Sequence, residues 1–141
     1  MVSLARAVAF LLVLTLSTGP LAAKSPSSAL VDRNYVDALA TADRFLHSWQ
    51  TQDQEAGILM LGDRLKRRTS EDVVRDFFTA AGDRASYEIG RGKKLSAARY
   101  SFPVSLFAGG SQKSRKWLCP QTSALTVAKF GKNDWVIEKL P

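Results

Sequence analysis

The feature that most constrains the fold is a change of hydrophobic period near Ala85. Before it, apolar residues recur at steps of three and four. After it they alternate, most clearly where Tyr100, Phe102, Val104 and Leu106 are interleaved with Arg99, Ser101, Pro103 and Ser105. A period near 3.6 builds one buried stripe on a helix, and a period of two builds one buried face on a strand. Helices followed by strands, each with one face to bury, make an α+β domain in which the helices cover one side of an antiparallel sheet.

Tyr35, Leu39, Ala42, Leu46 and Trp49 form the stripe of a first helix of about four turns. Asp53 is placed to cap a second, short helix through Ala56, Ile58, Leu59 and Leu61, with Gly62 as its stop and the basic run Arg64 to Arg68 as its tail. Thr69, with Asp72 three residues on, reads as the capping box of a third helix that buries Val73, Val74, Phe77 and Phe78 and ends at Gly82-Asp83. Tyr87 and Ile89 begin the sheet, and Gly90-Arg91-Gly92-Lys93 reads as a turn. Leu95 and Ala97 are out of phase with Tyr100, which predicts an irregularity near Ala98. Pro103 lacks an N–H for the ladder and predicts an edge or bulged position. Gly109-Gly110-Ser111 turns the chain into a long strand from Trp117 to Phe130, interrupted by Pro120, and Trp135 to Leu140 closes the sheet after Gly131-Lys132-Asn133-Asp134. The expected architecture is α+β: N-terminal helices packed on a curved, mostly antiparallel four-stranded sheet.

Residues 1–23 read as a secretory signal peptide: Arg6, an apolar run from Ala7 to Leu16, then Gly19-Pro20 and Ala22-Ala23. The run is about half the roughly 20 residues a spanning helix needs. Residues 24–33 read as a mobile leader and residues 34–141 as one domain. Export, to the periplasm or the extracellular space, is the expected localisation. Taking away the first 23 residues removes one charge and leaves the net charge at +6, from +7 for the whole chain.

The single cysteine, Cys119, excludes an internal disulfide framework, and with the single histidine, His47, it lacks the spacing of a zinc site. No metal and no cofactor signature is present. Gly90-Arg91-Gly92-Lys93-Lys94 lacks the Gly-Lys-Ser/Thr that opens a helix in a phosphate-binding loop.

The long helix ending Phe45-Leu46-His47-Ser48-Trp49, the short helix after it, and the closing hairpin Gly131-Lys132-Asn133-Asp134-Trp135-Val136-Ile137 resemble the nuclear-transport-factor-2-like superfamily. The resemblance spans Asn34 to Leu140. It implies a cone in which a long helix and two shorter ones wrap a strongly curved sheet around an apolar pocket. Tyr100, Phe102, Val104 and Leu106 would then face that pocket and the helices, and Tyr35 would lend it a phenol. The superfamily holds isomerases, dehydratases, binding modules and assembly factors, so the resemblance implies fold far more than activity.

The candidate acid/base pair is Asp43 with His47, one helical turn apart at the border of the apolar stripe, where a rim position is the expected one. Basic residues cluster at Arg64, Lys66, Arg67 and Arg68, at Arg91, Lys93 and Lys94, and at Lys113 to Lys116. Converging in space, they would form an anion-attracting patch. The expected function is a small secreted or periplasmic binding domain with an apolar cone-shaped pocket. An isomerase, dehydratase or hydrolase using Asp43 and His47 or a pocket tyrosine is the alternative. Expected partners are a small apolar ligand or an anionic envelope surface, with a homodimer through the sheet. Nucleic acid is not expected, because the basic runs are not regularly interleaved with aromatics.

Overall fold

The computed structural model describes residues 32–109 and 121–141. The expected signal peptide, most of the expected leader, Lys113 to Lys116 and Cys119 lie outside the described residues. Four helices precede five strands: α1 (Arg33–Gln50), α2 (Gln54–Leu59), α3 (Asp63–Arg68), α4 (Glu71–Thr79), β1 (Ser86–Ile89), β2 (Lys93–Ser96), β3 (Arg99–Phe107), β4 (Gln121–Phe130) and β5 (Asp134–Lys139).

α1 starts inside the stretch expected as leader, because Asp32 caps it by accepting from the Asn34 N–H at 3.1 Å. Its buried face is broader than the predicted stripe. Ala38, Ala42, Phe45, Leu46 and Trp49 are fully buried, while Tyr35 and Leu39 pack at the margin. The Trp49 indole donates to the Phe77 carbonyl at 2.9 Å and the Gln50 amide to the Ala85 carbonyl at 2.9 Å, so the end of α1 fixes both α4 and the entry to the sheet.

Three helices were expected and four are present. Gly62 ends nothing: it is the N-cap of α3, which the basic tail forms. α2 is capped by Asp53, as the sequence predicts, through the Ala56 N–H at 3.0 Å. Leu59 faces out, 74% exposed, since a two-turn helix has room for only Gly57 and Ile58 on its inner side. Met60 to Gly62 instead meets β5 in a single parallel bridge, Leu61 beside Ile137. Ile137 N–H donates to Met60 O and Gly62 N–H to Ile137 O, both at 2.8 Å, which covers that sheet edge.

The cap of α4 is Ser70 rather than Thr69, its hydroxyl accepting from Val73 N–H. Asp72 is therefore one position early for a capping box and pairs with Arg75 at 2.6 Å. The same shift of one residue turns Val73 outward, 54% exposed, and leaves Val74 and Phe78 as the buried pair. Ser70→Ala is expected to cost about 0.5–2 kcal/mol in urea unfolding, and Thr69→Ala clearly less.

β3 is central, flanked by β1 and β2 on one side and β4 on the other. The expected turn at Gly90 to Lys93 does not reverse the chain. β1 and β2 both run antiparallel to β3, and the glycine segment is a kink between them. A Cβ on Gly92 would meet the Phe102 ring and come within 3.0 Å of Tyr35, so the kink lets the backbone pass close over those two rings. The reversal falls at Ala97–Ala98, next to a bulge between Lys94 and Ser96, where the phase change was read. Pro103 is thus not at a sheet edge. Its carbonyl accepts from Gly90 N–H at 2.8 Å, so its missing N–H faces the same kink, the one place on β3 where no ladder donor is required.

The concave face carries Tyr100, Phe102 and Val104, opposite Val127, Leu125 and Ser123 of β4. All but Ser123 are essentially inaccessible to solvent, and Trp135 and Ile137 of β5 extend this layer toward α1. On the outer face Arg99 and Glu138 form a two-pronged ion pair, each contact 2.7 Å, that clasps β3 to β5 across β4.

Candidate functional site

Aromatic rings pack against one another on the inner face of the sheet. Tyr35 packs edge-on to Tyr100 with centroids 5.7 Å apart and lies 5.6 Å from Phe102, and Trp135 sits 5.8 Å from Tyr100. Tyr100, Phe102 and Val104 are core, therefore, and Leu106 is partly buried beside them. Tyr35 is half-buried, and its phenolic oxygen accepts from Gly92 N–H at 3.1 Å. Alternation predicted which residues face inward. It could not say that they would meet.

Two carboxylates of α1 reach the sheet, and each is taken by a tyrosine. At the helix start, the Tyr100 hydroxyl donates to Asp32 at 2.6 Å and the Lys94 ammonium donates to the same oxygen at 3.0 Å. Chiefly the Tyr100 hydrogen bond, then that of Lys94, pushes the Asp32 carboxyl down to about 2. The Lys94 ammonium is held above its ordinary range by Asp32 first and Tyr100 second, and burial, then Asp32, raises the Tyr100 phenol. Asp32 was not singled out from sequence because its partners are 62 and 68 residues away. Its one local signal was its position ahead of the helix.

Because the folded pKa of Asp32 lies below its ordinary 3.8, its contribution to stability is present above pH 3.8 and is lost as pH falls through about 2. Asp32→Asn removes the charge and keeps an acceptor. The wild type's advantage over this variant in urea midpoint is expected to shrink between pH 4 and pH 2 and to vanish below it. A constant difference across that range would contradict the assignment.

The second carboxylate is Asp43, half-way along α1. The Tyr87 hydroxyl of β1 donates to its Oδ1 at 2.8 Å and lies 3.3 Å from its backbone carbonyl. Burial of the phenol, then its bond to Asp43, pushes Tyr87 up to about 12. Among the described residues no hydrogen bond or ion pair joins Asp43 to His47. His47 is exposed in the last turn of α1, where its proximity to the helix C-terminus needs no carboxylate. Tyr87 was legible as a strand residue, and nothing in the local sequence linked it to Asp43.

This pair stands in an open groove of about 530 Å³ between α1 and β1. Val36, Leu39, Ala40 and Ile89 supply its apolar walls, and Asp43 and Tyr87 supply its polar part.

Among the described residues, the predicted basic clusters stand in two places. Arg64, Lys66, Arg67 and Arg68 are exposed on α3, which packs against β5, while Arg91, Lys93 and Lys94 are exposed on the β1–β2 side of β3. Three inter-strand spacings separate β2 from β5, on the order of 14 Å of sheet. Lys94 is also committed to Asp32.

No protein-family model matches the chain, and no curated protein sequence does. Solved structures do. A ketosteroid isomerase-like protein from Erwinia carotovora atroseptica is similar over 75% of this chain and 92% of its own, with a TM-score of 0.53 and 16% identity. An uncharacterized cystatin fold protein from Novosphingobium aromaticivorans is similar over 72% of this chain and 95% of its own, with a TM-score of 0.50 and 13% identity. The fold is the cone shared by nuclear-transport-factor-2-like and cystatin-like domains. At these identities the likeness speaks for architecture and leaves activity to the site.

Proposed function

We propose that this chain is an exported, periplasmic or extracellular binding domain that holds a small apolar ligand in the groove between α1 and β1 and performs no catalysis. The observation that carries this reading is the groove itself, an apolar slot with one polar pair. Export rests on Arg6, the apolar run and Ala22-Ala23. The acid/base alternative has less support. The candidate acid/base pair is not assembled: among the described residues no hydrogen bond or ion pair joins Asp43 to His47, which is exposed in the last turn of α1. A tyrosine pushed up to about 12 is also a poor acid near neutral pH. A small ligand is favoured over an anionic surface because, among the described residues, the basic side chains of α3 and those of the β1–β2 side stand on different parts of the sheet.

Ala40 is exposed on α1 and lines the groove, so Ala40→Trp fills the slot without touching the core. Wild-type protein is expected to enhance the fluorescence of Nile red, a neutral apolar dye. The variant should bind the dye about tenfold more weakly or worse with an unchanged circular dichroism spectrum. Equal binding by both proteins would sink the proposal.

A further inference from the structure

We infer that the groove between α1 and β1 selects an apolar molecule carrying a positively charged ammonium head, which Asp43 and Tyr87 receive. The inference rests on the proposed binding role of that groove and adds the charge of its ligand.

Hydrogen-bond accounting supplies the argument. A phenol has one proton, and that of Tyr87 points at Asp43, 2.8 Å from Oδ1. The pair can therefore offer a ligand no donor. What it has left are acceptors: the second carboxylate oxygen of Asp43 and the remaining lone pair of Tyr87. The pair also carries one net negative charge at neutral pH, since the phenol keeps its proton. No lysine or arginine among the described residues forms an ion pair with Asp43. The other lining side chains, Val36, Leu39, Ala40 and Ile89, hold no polar atom. A carboxylate or phosphate head would meet acceptors and like charge. A hydroxyl could donate a single hydrogen bond and brings no charge of its own to offset that of the carboxylate. An ammonium supplies three donors and the opposite charge, and charge-assisted bonds are roughly twice as strong as neutral ones.

The field of the whole chain runs the other way. With a net charge of +6 once residues 1–23 are removed, the protein as a body attracts anions, so a preference for a cation has to arise locally at Asp43.

The test compares decylammonium, decanol and decanoate, which share one apolar tail, by isothermal titration calorimetry at pH 7 against the wild type and Asp43→Asn. Asp43 is exposed, and circular dichroism of the variant checks that it is folded. The wild type is expected to bind decylammonium about tenfold more tightly than decanol, and decanoate most weakly. In Asp43→Asn the decylammonium affinity should fall about tenfold, while decanol loses much less, so that the preference between the two disappears. Decanol or decanoate binding as tightly as decylammonium would overturn the charge assignment and leave the groove as a binding site. A preference for decylammonium that survives in Asp43→Asn would overturn the role of Asp43. Failure of all three to bind would overturn the binding reading together with this inference.

Discussion

Phe102→Ala is expected to destabilise the protein by about 3–5 kcal/mol, the range for removing a fully packed aromatic ring. Phe102 is completely buried at the centre of the concave face, 5.6 Å from the Tyr35 ring and 6.5 Å from that of Tyr100. The kinked segment at Gly92 passes close over the same ring, so truncation would open a hole beneath backbone that cannot fold inward without breaking the Gly92 to Tyr35 hydrogen bond. Urea unfolding of the two proteins measures the difference. A ring lining an open ligand cavity would cost much less, and a loss below about 1 kcal/mol would mean that the ring is not packed as described. Because Phe102 does not line the proposed groove between α1 and β1, Nile red affinity of folded Phe102→Ala should stay close to that of the wild type.

Gly82→Val is expected to be of comparable severity for a different reason. Gly82 has φ +70°, a conformation that β-branched residues strongly disfavour, and a Cβ there would fall on the carbonyl oxygen of Gly109. Gly109 N–H in turn donates to the Ala81 carbonyl at 2.6 Å, so the obstacle is backbone already tied in place. Strain of about 1–3 kcal/mol and overpacking of a further 1–3 kcal/mol place the variant near the limit of a domain whose whole stability is about 5–15 kcal/mol. Gly131→Val makes the informative control, because Gly131 shares the positive φ and has open space around its Cβ position. It isolates the strain, and the difference between the two melting experiments reads the collision at Gly109. Equal losses would mean that Gly82 and Gly109 are not in contact.

The sequence alone determined what depends on neighbours a few residues away. Period distinguished helices from strands and placed Tyr100, Phe102 and Val104 on the inner face, because a slip of one residue would bury Arg99 and Ser101 instead. Asp53 was legible as a cap, since its acceptor and the Ala56 N–H are three residues apart. Where the local signal was ambiguous by one position, as with Thr69 and Ser70, the error carried through to Asp72 and Val73, because a helix turns about 100° per residue. The Gly90 to Gly92 segment shows another limit. Glycine and a following charged residue suit a reversal and a kink equally well, and only the pairing of both β1 and β2 with β3 decided for the kink, with Pro103 set opposite it. Tertiary structure alone decided the site. Tyr87 meets Asp43 across 44 residues and Tyr100 meets Asp32 across 68, contacts created when α1 is laid over the sheet and invisible to any periodicity. His47, the local partner one turn from Asp43, remained at the surface, because a carboxylate beside a half-buried phenol gains a hydrogen bond that an exposed imidazole in water does not better.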